Sequence, residues 1–279
     1  MLTRPLGKTG DSLSVIGFGG ILVTNATPGE ANHLIGEAID RGITYFDVAP
    51  SYGNAEERLG PALSPYRNRV FLACKTTERL AGPAAAELQA SLTRLKTDHV
   101  DLYQLHGVST PEDVDRILGP GGALESFVAA RAKGWIRHIG FSAHTEEAAL
   151  RLLDAFPFDS VLFPINFACW TQGNFGPRVV EKARSLGIGI LALKALAKRP
   201  LKKGELKPWP KCWYAPLETA LDVKSAVAFT LSKPITAALT PGHASLFRLA
   251  CDAAEELAAN PDGFTQALPA GGEPLFRNP

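Results

Sequence analysis

The sequence predicts an α/β fold in which eight parallel strands close into a (β/α)8 barrel. The first observation is a series of eight short runs that are apolar on both faces, as buried parallel strands are. Stretches with helical periodicity separate nearly all of these runs, and eight such units favour a closed barrel. An open doubly wound sheet is the alternative, but GFGG at 17–20 does not match its G-x-G-x-x-G fingerprint. The predicted strands are residues 14–20, 43–48, 70–75, 100–106, 136–142, 160–166, 188–193 and 235–240.

Composition and charge narrow the class of protein. Of the 279 residues, 46% are hydrophobic and 20% are charged, which supplies enough apolar material for a large core. Lys and Arg number 29 against 28 Asp and Glu, and a net charge of +1 argues against a nucleic-acid or anionic-membrane partner. No linker interrupts the pattern, so we expect residues 1–279 to form a single domain. The sequence sets no oligomeric state.

Targeting segments and metal-binding patterns are also missing from the sequence. The opening MLTRPLGKTG lacks the apolar segment of a signal peptide, and nowhere do eighteen apolar residues follow one another. We therefore expect a cytoplasmic protein without a membrane-spanning segment. The four cysteines form no C-x-x-C pair, so we expect neither a metal centre nor a disulfide scaffold.

The elements at the start of the chain follow from local signals. Residues 1–13, with a turn at 7–10, predict a small hairpin that closes the bottom of the barrel. The first helix has Thr27 as its N-cap, Pro28 at its first position and Glu30 to complete a capping box. Gly42 stands where the left-handed residue after a helix is wanted.

Two segments fall outside the strand–helix repeat. Residues 198–216 are rich in Pro, basic and aromatic residues, and they follow the seventh predicted strand. Because loops after barrel strands form the active-site face, we expect this segment to be an irregular loop over that face. Residues 260–279 are rich in Pro and Gly, and they predict an irregular tail that folds back over the same face.

Four chemically active side chains follow the ends of three neighbouring predicted strands. Asp47 ends the second strand, with Tyr52 five residues later, while Lys75 ends the third and His106 the fourth. A phenol has a pKa near 10, and an adjacent ammonium favours its ionised form. Asp47 can supply the counter-charge that a partly buried Lys75 needs, and a neutral His106 can orient a carbonyl oxygen. Together the four groups predict a general acid that protonates a carbonyl oxygen as hydride arrives.

The same residues carry a resemblance to a known family. The run FDVAPSYGNAEERLG at 46–60 resembles the signature of the aldo-keto reductases, and ACK at 73–75 and YQLHG at 103–107 look like the family's Lys and His positions. IRHIGFSAH at 136–144 is similar to its Gly-x-Ser-Asn motif. The resemblance covers nearly the whole chain and implies a TIM barrel and an NAD(P)H-dependent reductase of a small aldehyde or ketone. It also implies roles for the four groups: Tyr52 as general acid, Lys75 as its tuner, Asp47 as partner of Lys75, and His106 as the group that orients the carbonyl.

The resemblance further implies cofactor contacts. Ser142 matches the family's carboxamide-binding Ser, Asn166 is retained, and Lys194 stands at a position where shorter bacterial members carry a Lys. Arg248 aligns with the Arg that holds the adenosine 2′-phosphate, so NADP(H) is expected over NAD(H). Three neighbouring positions differ from the family pattern, namely Ala143, Leu162 and Leu193.

Two other functions are compatible with the sequence. Because the nicotinamide contacts depart from the family pattern, the four catalytic groups could serve non-redox acid–base chemistry in a lyase or isomerase. Some relatives of the family are auxiliary subunits of channels, which makes a nucleotide-binding regulatory subunit the third interpretation. A pure binding role has no need of a tuned phenol, so the intact set of four argues against it.

Overall fold

The computed structural model describes residues 1–260 and 267–278, and within them eight parallel strands close into a barrel. The predicted (β/α)8 fold is confirmed. In chain order the strands are β1 (Thr3–Pro5), β2 (Ser12–Ser14), β3 (Ile16–Gly19), β4 (Tyr45–Asp47), β5 (Phe71–Thr76), β6 (Val100–Val108), β7 (Ile136–Ala143), β8 (Ser160–Pro164), β9 (Gly189–Leu193), β10 (Ala197–Pro200), β11 (Tyr214–Pro216) and β12 (Ala237–Leu239). The helices are α1 (Pro28–Asp40), α2 (Ala55–Leu63), α3 (Ala81–Leu95), α4 (Pro111–Leu118), α5 (Ala123–Ala132), α6 (Glu146–Ala155), α7 (Phe167–Thr171), α8 (Pro177–Leu186), α9 (Ala220–Leu231) and α10 (Ala244–Ala259).

The strand order brings all carboxyl ends to one rim. Strands β3 to β9 follow one another around the barrel, and β12 closes it by pairing with both β9 and β3. All of these pairs are parallel. Lys75 on β5 pairs with Gln104 on β6, so these two polar residues stand at the same height in the barrel. Loops that follow these ends form the face on which barrel enzymes place their active sites.

The N-terminal hairpin closes the opposite end. β1 pairs antiparallel with β2, and the fully buried Leu6 and Leu13 pack with Tyr45, Phe71 and Leu102 inside the barrel. These apolar side chains fill the interior below the polar rim, which gives the rim a rigid floor. The predicted hairpin at the bottom of the barrel is therefore present.

The first helix begins and ends where the sequence predicts. Thr27 accepts a hydrogen bond from the backbone N–H of Glu30 (3.2 Å), and the Glu30 carboxylate accepts one from the Thr27 N–H (2.7 Å), which is the predicted capping box. Gly42 follows the helix with φ of +75°. The stripe that includes Ile35 and Ala38 is fully buried against the barrel.

The outer helices pack closely against one another. At Gly60 in α2, a Cβ atom would lie 2.3 Å from the carbonyl oxygen of Leu95 at the end of α3, so only glycine permits this approach. None of the helices within the two described ranges is long and apolar enough to cross a lipid bilayer.

The segment after β9 is more ordered than expected. Residues 198–216 were predicted as an irregular loop, but β10 and β11 pair antiparallel and form a hairpin. Its connecting residues reach the start of the barrel, because Lys211 Nζ donates to the carbonyl oxygen of Leu22 (2.7 Å). Tyr214 and Cys212 are buried beneath it. The apolar and aromatic residues of the segment do not alternate regularly with polar ones along the sequence, so the pattern indicates no strand there. The hairpin forms because these residues pack on the barrel.

The predicted tail, residues 260–279, is partly described. Residues 261–266 and 279 lie outside the described residues, and 267–278 form neither helix nor strand. The described part runs beside α7, where Arg277 donates to the carbonyl oxygen of Gln172 (3.1 Å) and the Asn278 amide donates to Glu146 (2.6 Å). The Phe276 ring stacks on Phe175 with 5.2 Å between centroids. The tail thus covers part of the rim next to β7, β8 and β9.

Candidate active site

A buried ion pair and a phenol lie together at the rim of β4 and β5. Lys75 Nζ donates to Asp47 Oδ1, and both side chains are almost fully buried. The same ammonium lies 3.4 Å from the hydroxyl oxygen of Tyr52 and 3.3 Å from the carbonyl oxygen of Val48. Burial is the largest single effect and lowers the pKa of Lys75, but the charge and hydrogen bond of Asp47, together with Tyr52 and Cys74, outweigh it, so the pKa is raised. The structure therefore brings together Asp47, Lys75 and Tyr52, as the sequence predicts.

The second oxygen of Asp47 is held by two residues that sequence reasoning missed. Tyr45 donates its hydroxyl to Asp47 Oδ2 (3.2 Å), and the Gln104 amide donates to the same oxygen (3.2 Å). All of these groups are buried. A buried carboxylate with both oxygens hydrogen-bonded is fixed in place, which fixes Lys75 in turn. Only the strand register could have indicated Gln104, since it pairs with Lys75.

The backbone around Tyr52 fixes its side chain against this pair. Tyr52 ends a short 3-10 turn, and its carbonyl oxygen accepts a hydrogen bond from the Thr24 hydroxyl (2.9 Å). Gly53 follows with φ of +61° and ψ of −127°, a conformation that residues with a Cβ rarely adopt. The Lys75 ammonium lies 5.2 Å from the centroid of the Tyr52 ring.

The proton of the Tyr52 phenol is held more firmly than the sequence suggests. Lys75 lowers the pKa of Tyr52, as predicted, but the larger effect of burial raises it, and the net shift is upward. Tyr52 is therefore neutral and carries its proton at physiological pH. Lys75 lowers the free energy needed to ionise the phenol, but the net effect of the surroundings keeps the phenol protonated.

His106 completes the group of four. Its ring meets Tyr52 edge to face, with centroids 5.9 Å apart and an interplanar angle of 87°. Ser51 Oγ lies 3.4 Å from His106 Nδ1. Burial and then the charge of Lys75 lower the pKa of His106 to about 3, so the imidazole is neutral at pH 7. A neutral imidazole can donate one hydrogen bond, which suits a carbonyl oxygen.

A local irregularity in β6 aims His106 into the rim. The register of β6 against β7 shifts between Leu105 and Val108, which removes the peptide after His106 from the regular ladder. Its carbonyl oxygen accepts a hydrogen bond from Arg79 Nη2 (2.9 Å), and the following N–H, of Gly107, donates to Ser142 Oγ (2.7 Å). Arg79 and Ser142 thus replace the missing ladder bonds. Nothing in the sequence pattern marked Arg79, which lies in the loop after β5.

Lys194 occupies a second buried position on the rim, across the barrel. It follows β9 with φ of +66° and is 9% exposed. Its Nζ lies 3.1 Å from His144 Nε2 and over the rings of Trp213 (5.0 Å) and Phe276 (5.3 Å). We call these four residues the Lys194 cluster. His144 ends the run 136–144 that resembles the family's Gly-x-Ser-Asn motif, and it lies against this candidate site residue.

The remaining predicted cofactor residues are placed differently from one another. Asn166 is the N-cap of α7, where its Oδ1 accepts from Cys169 N–H (2.8 Å) and its amide donates to the Lys194 carbonyl (3.1 Å). Arg248 lies in the second turn of α10, exposed and paired with Glu37 through two contacts of 2.8 and 2.7 Å. Within the described parts of the chain, no cluster of three or more His, Cys, Asp or Glu residues could hold a metal ion.

The chain is similar in fold and in sequence to known proteins. A putative aldo-keto reductase structure from Pseudomonas aeruginosa superposes with a TM-score of 0.71 at 27% identity, covering 91% of this chain and 95% of that one. An uncharacterized oxidoreductase of Bacillus subtilis (strain 168) is 33% identical over 157 residues, and a probable aldo-keto reductase of Glycine max is 29% identical over 212 residues. These alignments cover 51% and 69% of this chain, and they span 49% and 59% of the two relatives' own lengths.

The family model described as the Aldo/keto reductase family matches residues 15–267, which runs from the first barrel strand to beyond α10. That range contains the ion pair, the phenol and the imidazole. The chain belongs to the Aldo/keto reductase family.

Proposed function

We propose that this protein is an oxidoreductase that reduces a small aldehyde or ketone with NAD(P)H. The observation that carries the proposal is the neutral Tyr52 phenol, whose oxygen lies 3.4 Å from an ammonium that Asp47 keeps charged. An acid that must act at neutral pH needs a proton to give and a stabilised conjugate base, and this arrangement supplies both. The relatives named as reductases and oxidoreductases support the same chemistry.

Each member of the group has a distinct task in this proposal. Tyr52 donates its proton to the carbonyl oxygen as negative charge develops there, and the Lys75 ammonium stabilises the phenolate that remains. Asp47 keeps Lys75 protonated, and Tyr45 and Gln104 keep Asp47 in position. His106 donates a hydrogen bond to the same carbonyl oxygen and so orients the reacting carbon.

The residues of the rim also fit a dinucleotide. The bound dihydronicotinamide supplies the hydride. Ser142 stands beside His106 at the end of β7 and is the residue that we propose for the carboxamide. The N-cap residue of α10, His243, makes no side-chain cap bond, so the first N–H groups of that helix remain suited to a phosphate. Asn166 stays a predicted cofactor contact, although Cys169 and Lys194 already engage its two polar atoms.

We propose NADP(H) as the preferred cofactor, with Arg248 holding the adenosine 2′-phosphate. Arg248 is exposed on α10, and its guanidinium is oriented by Glu37. Because Glu37 offsets part of the charge, we expect Arg248→Ala to weaken NADPH binding by about tenfold. NADH binding should stay unchanged, as measured by titration of cofactor fluorescence with each nucleotide.

The proposal is tested by Tyr52→Phe. We expect a loss of about 10²- to 10⁴-fold in kcat, since the general acid is removed, with NADPH binding retained. Turnover is followed as NADPH oxidation and as transfer of a deuterium label from the cofactor to the alcohol product. Tyr66→Phe is the matched control, because Tyr66 lies on the outside of the barrel against Arg69.

Several outcomes would overturn the proposal. Absence of label transfer to every carbonyl in a broad panel, in folded protein that binds NADPH, would contradict a reductase. Turnover without hydride transfer would instead support a lyase or isomerase. Stoichiometric co-purification with a protein partner, together with no turnover, would support a regulatory subunit.

A further inference from the structure

The Lys194 cluster contains a buried cation without a counter-charge. Among residues 1–260 and 267–278, no carboxylate lies within 4 Å of Lys194 Nζ, whose polar neighbour is the neutral His144. Burial therefore lowers the pKa of Lys194 to about 7. Burying an ammonium without a counter-charge costs free energy, and proteins retain such a group chiefly where a bound anion supplies the counter-charge.

The structure holds Lys194 in this position at a further cost. A residue with a Cβ in the left-handed region is strained, and such residues concentrate at functional sites. Asn166 fixes the strained backbone by donating to the Lys194 carbonyl oxygen (3.1 Å). The rings of Trp213 and Phe276 line the ammonium, so they exclude water and partly stabilise its charge.

The charges around the reacting group are unevenly balanced. Lys75 is paired with Asp47, and Arg79 with Asp113 at 3.2 Å, whereas Lys194 adds a positive charge with no acidic partner in the described chain. Lys194 lies close enough to His106 for its charge to lower the pKa of that imidazole. The rim therefore has an excess of positive charge next to the group that we propose to orient the carbonyl.

We infer that Lys194 and His144 form a subsite for an anionic group of the substrate, so that the enzyme prefers carbonyl compounds bearing a carboxylate. This inference rests on the proposed reductase function. The two rings that enclose the ammonium come from the β10–β11 hairpin and the C-terminal tail, the segments outside the barrel repeat. Loops added to a barrel rim set which substrate is accepted, while the barrel supplies the chemistry. The phosphates of the cofactor have their own candidate partners in Arg248 and the start of α10.

The test compares an acid with its ester. The probes are 4-carboxybenzaldehyde and its methyl ester, which carry the same aldehyde and differ in one charge. We expect kcat/KM for the acid to exceed that for the ester by at least tenfold, because a hydrogen bond to a charged group is formed only with the acid. Lys194→Met should bring the ratio close to one by raising KM for the acid, and Lys194→Arg should restore part of it.

The control is matched in both residue type and backbone conformation. Lys96 also has a left-handed backbone, with φ of +52°, but it is exposed at the end of α3. Lys96→Met removes the same charge and should leave the ratio unchanged. A binding measurement independent of turnover uses 4-(hydroxymethyl)benzoate, the alcohol product of the acid, titrated into the wild type and Lys194→Met by calorimetry.

Each outcome decides a separate question. Equal kcat/KM for the acid and the ester in the wild type, or an unchanged ratio in Lys194→Met, overturns the subsite while leaving the reductase intact. A weaker NADPH affinity in Lys194→Met with an unchanged acid-to-ester ratio assigns the ammonium to a cofactor phosphate and likewise overturns it. If the wild type reduces neither aldehyde, the reductase proposal is decided by the broad carbonyl panel. The subsite is then judged by whether 4-(hydroxymethyl)benzoate binds at least tenfold more weakly to Lys194→Met.

Discussion

Two buried lysines stand on opposite sides of the same barrel rim, and their surroundings differ in kind. Lys75 ends β5 with Asp47 as its counter-charge, and its pKa is raised. Lys194 follows β9 with an imidazole and two rings around it, and burial lowers its pKa to about 7. The protein itself supplies the counter-charge of Lys75. Lys194 has no counter-charge within the described residues, and we propose that a bound anion supplies it.

This difference indicates distinct functional roles for the two sides of the rim. A charge fixed by a hydrogen-bonded carboxylate suits a role that is the same for every substrate, such as stabilising the Tyr52 phenolate. An uncompensated charge changes state easily and responds to whatever binds beside it. We therefore place the proton transfer at the side of the rim formed by β4, β5 and β6, and the selection of substrate at the Lys194 cluster.

The largest expected effect is a difference between the two lysines in how much each contributes to the free energy of unfolding. Lys75→Met removes one partner of a buried ion pair and leaves the Asp47 carboxyl group buried without it, so we expect the free energy of unfolding at pH 7 to fall by about 3–5 kcal/mol. Lys194→Met leaves no such charge behind and should not lower stability. Urea unfolding of both variants, followed by circular dichroism, measures the contrast. A similar loss of stability in the two variants would show that the pairing of Lys75 with Asp47 is not what distinguishes them.

A smaller effect is expected on the rate through His106. Arg79→Met removes the donor to the His106 carbonyl oxygen, and the imidazole loses one of the two bonds that hold its peptide. We expect kcat for both the acid and the ester probes to fall by about tenfold, with unchanged NADPH binding. Arg79→Lys should recover part of the rate because it retains a donor.

Asp113→Asn is the control for Arg79. It weakens the ion pair that Asp113 makes with Nε and Nη2 of Arg79, and it keeps the donor to the His106 carbonyl oxygen. A loss in Asp113→Asn as large as that in Arg79→Met would mean that the ion pair, rather than the bond to the His106 carbonyl, is what matters. A change in the acid-to-ester ratio would place Arg79 in substrate selection instead.

The reacting side of the rim could be predicted from the sequence because strand ends carry it. Asp47, Lys75 and His106 sit at or near the ends of strands that apolar patterning identifies, and Tyr52 follows at a characteristic spacing. The direction of the net pKa shift of Tyr52 was not predictable. It depends on how deeply the phenol is buried, which is a property of the packed fold.

The selecting side was harder to predict because its parts come from distant segments. Trp213 and Phe276 belong to a hairpin and a tail that show no periodic pattern, and they meet only across the rim.

Two arginines outside the selecting side were equally hard to place from the sequence. Arg79 is a single basic residue in a loop, and its contact arises from an irregularity in β6 that periodicity does not reveal. Arg248 matches a family position, yet its pairing with Glu37 depends on how α10 packs against α1.

The smallest expected effect concerns the pH dependence of stability at Lys194. Its pKa of about 7 in the folded chain lies below its ordinary value of 10.5, so the unfolded chain binds more protons between these limits. The cost of burying the ammonium is therefore full below pH 7 and declines as pH rises toward 10.5. Lys194→Met should therefore stabilise the protein at pH 6, by less than the full burial cost, because the methionine packs imperfectly and loses the contacts of the ammonium with the two rings.

The gain should shrink between pH 6 and pH 9, and Lys96→Met should show no such trend. The groups that face Lys194 are His144, whose pKa of about 3 keeps it neutral in this range, and Cys169, whose pKa burial raises. Neither should reverse the sign of the difference. Urea unfolding of wild type and variant at both pH values measures it. A gain that is constant with pH would mean that the folded and unfolded chains bind the same number of protons, so that the amine stays charged up to pH 9 and burial does not lower its pKa into this range. A gain that already falls steeply below pH 7 would mean that the buried amine is uncharged throughout, and the preference for an anionic substrate would then have no cation to act through.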